Sequence, residues 1–310
     1  MAPRSAAALV VAVVRTPVSR IPDPAAVYGV DLSAAAASAG ADTWVARCLV
    51  DDGALVVDEL ASAAEFLGLD STARDDVLPA LAAHLGGVDG PAVAGIDVPF
   101  SLPAWVLGDR TWREFVAATP GEWGVLDGVD DPRDLYDAVR EHADPESGRP
   151  RGRATDDAHG GQDPAGFRIK TQTYYGISVL LRRLIEREGV CVPPALPAVG
   201  VDDVDADPPP RLAVLETYPA SVFDRLDGAE RTGYKKAQRR HVAARRRNVA
   251  ALVDDGVRFA DDAARDCAVA TDDALDAVAA ASAAARNYRT ALDPEDGPDR
   301  RERLEGRIFG

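Results

Sequence analysis

Cysteine is nearly absent from this chain. Cys48, Cys191 and Cys267 lie far apart in 310 residues, odd in number and never as a Cys-x-x-Cys pair. That excludes a disulfide framework and a thiolate zinc site, and it suits a reducing cytosol. Histidine is as sparse. His84, His142, His159 and His241 make no His-x-x-x-His pair, and no Gly-x-Ser-x-Gly elbow is present. The apolar run AAALVVAVV at 6–14 is too short to span a bilayer. One arginine precedes it and no small-residue cleavage pattern follows, so the expectation is an extra edge strand or an early start codon, not a signal peptide. No membrane association and a cytoplasmic location are expected. Lysine and methionine are scarce, and acids outnumber bases 51 to 35, a formal charge of −16. An Asp-rich, Lys-poor surface holds water and stays soluble in strong salt, so a salt-loving source is expected, with GC-rich coding bias as the plainer alternative. The negative balance argues against a general nucleic-acid binder, although a basic patch or a bound metal can reverse the field locally.

What is present is a globular composition, 46% apolar, in a chain long enough for a large core. VYGVDLS (27–33), TWVARCLV (43–50) and ALVVDEL (54–60) read as three strands in an antiparallel meander, with Asp-Asp-Gly at 51–53 as a tight turn. Helical spacing over 73–85, flawed by Pro79, leads to the strand PAVAGID (91–97) and a parallel return. Residues 104–190 read as a helical insertion: a Trp-bearing helix near 111–118, a polar loop at about 143–166 and a helix over 173–188. A linker at 193–210, a strand RLAVLETYP (211–219), a basic helix at 235–253 and a strong helix at 271–288 complete the order. The expected architecture is α/β: a mixed sheet resembling the RNase H-like fold, with flanking helices. Residues 1–26 are expected as an N-terminal extension, 27–290 as one domain, and 291–310 as a tail.

Asp31, Asp97 and Glu216 each stand near the C-terminal end of an apolar strand, the edge where open α/β sheets build their sites. Carboxylates on neighbouring strand ends repel, and one takes up a proton unless a cation intervenes. Hard oxygen donors suit Mg²⁺ or Mn²⁺. A turn-forming Asp is the plainer reading of Asp31 and Asp97. In the last helix Asp272, Asp273 and Asp276 fall at i, i+1 and i+4. The first two also suit a helix start capped by Thr271. Asp276 lies past the first turn, on a stripe continued by Ala279, Ala280 and Ala283 that lets a helix lie close to a sheet.

Five stretches in order, GVDLS (29–33), GIDVPFSLP (95–103), LETYPASVF (215–223), GYKK (233–236) and DDALDAVAAASAA (272–284), resemble the domain-of-unknown-function 429 family, regarded as predicted RNase H-like nucleases. Matched motif by motif, the resemblance implies catalytic roles for Asp31, Asp97, Glu216, Asp273 and Asp276, with Asp31, Asp97, Asp273 and Asp276 as metal ligands. It implies hydrolysis of nucleic-acid phosphodiesters with two Mg²⁺ or Mn²⁺ ions. KKAQRRHVAARRR (235–247) carries seven Lys/Arg and no acid. It reads either as a solvated face or as a phosphate contact. Lys235, Lys236, Arg239, Arg168 and Tyr218 are the substrate-contact candidates. Lys170 and Gln172 are weaker ones, and Tyr174 and Tyr175 are possible stacking surfaces. Two other readings compete: an ATPase or kinase using GVDLSAAAASAG, with Ser33, Ser38 and Gly40 near phosphate, and a partner-binding domain without chemistry.

Overall fold

The computed structural model describes residues 21–197, 210–236, 238–294 and 297–310, apart from the side chain of Asp127. The apolar run at 6–14 and most of the expected linker lie outside them. Strand β1 (Ala26–Asp31) is followed by β2 (Trp44–Asp51) and β3 (Ala54–Ser62) in an antiparallel meander. Asp52 and Gly53 make the expected turn, both at positive φ. Helix α1 (Arg74–Gly86) returns the chain to β4 (Ala92–Asp97), parallel to β1, and Pro79 sits inside that helix without ending it. Later come β5 (Val190–Cys191) and β6 (Leu212–Thr217), then β7 (Val257–Phe259) and β8 (Ile308–Phe309). β6 pairs parallel with β4 and carries β5 and β8 on its other side, while β7 pairs with β3. The sheet has eight strands, antiparallel in the meander and parallel elsewhere, as an RNase H-like fold requires.

Several elements differ from the expectation. Within the polar loop at 143–166, Ala154–His159 form a short helix, α2. The basic helix, α3 (Arg239–Asp254), starts after Lys235 and Lys236, which precede it in a non-helical segment. A further helix, α4 (Asp262–Ala270), precedes the long α5 (Asp272–Leu292). Residues expected as a tail continue the fold through α6 (Arg300–Glu305) and β8, which pairs with Glu216 and Thr217.

Strand side chains alternate between two layers. Tyr28, Val30, Ala94, Ile96 and Val214 join the core under α1 and the insertion, with Trp112, Phe115 and Leu180. Val27, Val93, Ala213 and Leu215 join the core under α5. α5 sits unusually close to the sheet. A Cβ on Gly29 would meet the Ala277 carbonyl oxygen at 1.9 Å, and one on Gly95 would meet that of Ala280 at 2.3 Å. β1 and β4 share the pattern Ala-Val-x-Gly-x-Asp. In each, the glycine two positions before the acid clears the space in which the helix backbone lies. Ala277, Ala280, Ala281 and Ala284 are fully buried at that contact.

Candidate metal centre

Register places the first two acids. Asp31 and Asp97 are direct partners across β1 and β4, both on the α5 side. Because α5 crosses the glycines at backbone distance, the short side chain of Asp276 reaches them. One carboxylate oxygen from each of Asp31, Asp97 and Asp276 lies within 4.8 Å of the other two. Asp276 is fully buried, Asp31 nearly so, and Asp97 keeps an edge in solvent. Asp273, one turn before Asp276, lines the same cleft of about 190 Å³. Crowding and desolvation shift every member in one direction. Burial, then Asp276 and Asp97, hold the Asp31 carboxyl well above the usual carboxylate range. Burial raises Asp97 to about 7 against the opposing pull of Lys235. Burial and Asp272 raise Asp273 to about 6. Asp276 is raised too, by burial, with Lys235 and Tyr234 opposing.

Two residues of the Gly-Tyr-Lys-Lys stretch serve Asp276. The buried Tyr234 hydroxyl donates to Oδ1 at 2.9 Å. Lys235 Nζ stands 2.7 Å from Oδ2, an ion pair whose angle leaves that buried oxygen without an aligned hydrogen bond. Burial lowers the lysine's pKa, but Asp276, Asp97 and Asp31 together raise it above its ordinary value. Tyr234 was legible in the motif but passed over in favour of the lysines beside it.

Glu216 has a different setting. It stands one residue short of the Asp position of the other strands, so it points to the opposite layer with Leu212 and Val214. Its carboxylate accepts from the Phe100 backbone N–H at 3.0 Å and from Arg153, whose Nη1 is 2.8 Å away. Arg153 is wholly buried and all five of its N–H donors are used. Its remaining partners are Asp156, in a second fork, and the Glu305 carbonyl oxygen. Burial lowers the arginine's pKa, and Glu216 and Asp156 reverse that, so it stays charged. Sequence reasoning missed Arg153 and Asp156 because both lie in a polar loop without periodicity. Thr217, next in β6, takes the α5-facing position; its hydroxyl is buried without a partner and it lines the cleft.

The substrate-contact candidates separate. Tyr218 lines the cleft with Lys235, and the Arg231 guanidinium sits 5.9 Å from its ring centre. Lys236, Arg239 and Arg168 are exposed and do not line the cleft. Within the basic helix, Arg245 is a structural residue. Fully buried, it donates to the carbonyls of Tyr234, Lys236, Val269 and Ala270 and so fixes the Tyr-Lys-Lys segment to α4. Arg247 pairs with Glu230. Gln172 lines the cleft while its amide donates to the Leu32 carbonyl. Lys170 caps the exposed Phe167 ring at 3.9 Å. Tyr174 is core, and Tyr175 lies under Arg74. Thr271 stands at the start of α5, but its side chain makes no cap bond. In the proposed phosphate loop, Ser38 donates to Asp42 at 2.6 Å and Gly40 packs against Val77 and Thr72, which leaves little of that loop free for phosphate.

The donor set fits a hard divalent cation. Three oxygens from three elements converge, their mutual repulsion is incompletely offset by one ammonium, and among the described residues no Cys or His joins them. Among the described residues no helix is long and apolar enough to cross a membrane. No curated protein and no solved structure matches the chain. A family profile described as "Protein of unknown function (DUF429)" matches residues 29–296, from the glycine before Asp31 past the end of α5. The chain belongs to that family.

Proposed function

We propose that this protein is a metal-dependent nuclease hydrolysing phosphodiester bonds of DNA or RNA, acting in a salt-rich cytoplasm. The observation that carries the reading is the convergence of Asp31, Asp97 and Asp276 within 4.8 Å on one sheet edge, beside an open cleft. These three would hold Mg²⁺ or Mn²⁺, and Asp273 would serve a second ion. A bound ion supplies positive charge to the phosphate and acidity to water near neutral pH.

The chain's own groups supply the rest. Asp97, with its pKa raised to about 7 in the metal-free site, would hold a bound ion as the carboxylate and give up its proton to solvent. Asp273, raised to about 6 in the metal-free site and open to the cleft, would release its proton in taking up the second ion. Tyr218 offers a ring to a base or sugar at the cleft wall. Lys236, Arg239 and Arg168, outside the cleft, would hold flanking phosphates and so set register, not chemistry. Glu216 lines the cleft with Arg153 and Asp156, but its carboxylate is engaged by Arg153 and the Phe100 N–H, so it would act by positioning that wall.

The test is calorimetric Mn²⁺ titration in high salt of wild type and Asp97→Asn, followed by cleavage assays on labelled single and double strands of DNA and RNA. Binding that the substitution abolishes, with Mn²⁺-dependent cleavage, is expected. A folded wild type that binds no Mn²⁺ would overturn the reading and leave a partner-binding domain in its place.

A further inference from the structure

Lys235 is one of only three lysines in the chain, with Lys170 and Lys236. Its backbone is fixed on both sides. Arg245 Nη1 holds the carbonyls of Tyr234 and Lys236 at 2.6 and 2.9 Å, and His241 bonds the Gly233 carbonyl. The Tyr234 ring is buried and tied to Asp276. The Lys235 side chain, by contrast, is 57% exposed, with only its ammonium end set among the carboxylates. That ammonium lies 2.7 Å from Asp276 Oδ2, whose partner oxygen is already taken by Tyr234. The Asp276 oxygen left without an aligned hydrogen bond, and so the one most open to a divalent ion shared with Asp31 and Asp97, is the oxygen that Lys235 faces.

We propose that Lys235 is a tethered counter-ion, which neutralises the carboxylate cluster when no metal is bound and swings out when a divalent ion enters. The inference rests on the metal reading above. The geometry allows the exchange without backbone movement, because the anchors hold main-chain atoms and the four-carbon stem already runs through solvent. An ammonium and a divalent ion both in contact with Oδ2 would repel strongly in this partly desolvated site. Once displaced, the ammonium remains at the cleft mouth, where a substrate phosphate is its natural partner. Lys235 is thus a positioning residue for the metal and a charge held ready for the substrate.

The experiment is amine acylation of the folded full chain, read by mass spectrometry at each lysine, with and without Mg²⁺. Calorimetry on the same sample reports whether the ion binds. Lys236, exposed and outside the cluster, is the internal reference. Without metal, Lys235 is expected to react at least about tenfold more slowly than Lys236, and saturating Mg²⁺ is expected to raise its rate toward that of Lys236. Lys235→Met is expected to bind Mn²⁺ at least about tenfold more tightly, with unchanged stoichiometry. Arg246→Gln, which removes an exposed charge from the same basic helix without touching the cluster, should change that affinity less than about twofold. Demonstrated Mg²⁺ binding that leaves Lys235 labelling unchanged would overturn the counter-ion role alone. No binding by either wild type or Lys235→Met would overturn the metal reading, and the counter-ion role with it.

Discussion

Two clusters of carboxylates meet at one cleft on one edge of one sheet, reached from opposite layers, and they are handled in opposite ways. On the α5 side, Asp31, Asp97 and Asp276 face one another with a single ammonium among them. On the other side, Glu216 and Asp156 close on the two forks of a buried arginine whose every donor is satisfied. Buried charge is tolerated only when it is paired and hydrogen-bonded. The Arg153 cluster meets that condition within the chain. The aspartate cluster does not: its carboxylates share one ammonium and one tyrosine hydroxyl, and Asp276 Oδ2 has no aligned hydrogen bond. We read the first as a structural joint and, under the proposed function, the second as a receptor for a cation.

The contrast can be broken most severely at the joint. Arg153→Met leaves Glu216 and Asp156 buried without their partner and should cost about 3–5 kcal/mol, read by urea denaturation in high salt. Next comes the helix approach. Gly29→Ala sets a methyl against the Ala277 carbonyl, so α5 must lift and carry Asp276 with it. A loss of about 1–3 kcal/mol is expected together with weakened Mn²⁺ binding, whereas a purely packing defect would leave binding intact.

In the aspartate cluster the expected sign reverses. Asp97→Asn should weaken Mn²⁺ binding at least about tenfold yet raise the metal-free Tm at pH 8 by about 2 °C or more, since it removes a repelling charge. If Asp97 were a structural joint like Glu216, the same substitution would lower Tm. Between about pH 5 and 7 the unfolded chain has largely lost its carboxyl protons, while folded Asp97 and Asp273 retain theirs up to about 7 and about 6. The folded state then binds more protons, so metal-free stability should fall as pH rises through that window. Thermal unfolding at pH 5 and pH 8 with a chelator measures this, and the fall should shrink in Asp97→Asn. The smallest effect belongs to Arg239→Gln, exposed at the start of α3, which should stay within about 0.5 kcal/mol by the same denaturation.

Much of this was legible from residues alone. The alternation in β1 to β3, the Asp-Asp-Gly turn and the alanine stripe of α5 are local patterns, and local sterics and periodicity enforce them. The shared Ala-Val-x-Gly-x-Asp of β1 and β4 carries more, for it places Asp31 and Asp97 on one face and clears the path of a helix. It also distinguishes Glu216, since Leu-Ala-Val-Leu-Glu-Thr puts its acid one step out of phase, a parity that reading by strand end alone overlooked. What only the tertiary structure decided is how charge is settled at long range. Arg153 meets Glu216 across 63 positions, Lys235 meets Asp276 across 41, and Glu305 holds the Ala154 N–H across 151. No periodicity marks such pairs. A buried charge selects its partner by what folding brings within reach in a low-dielectric interior, and only there does desolvation make the pairing decisive.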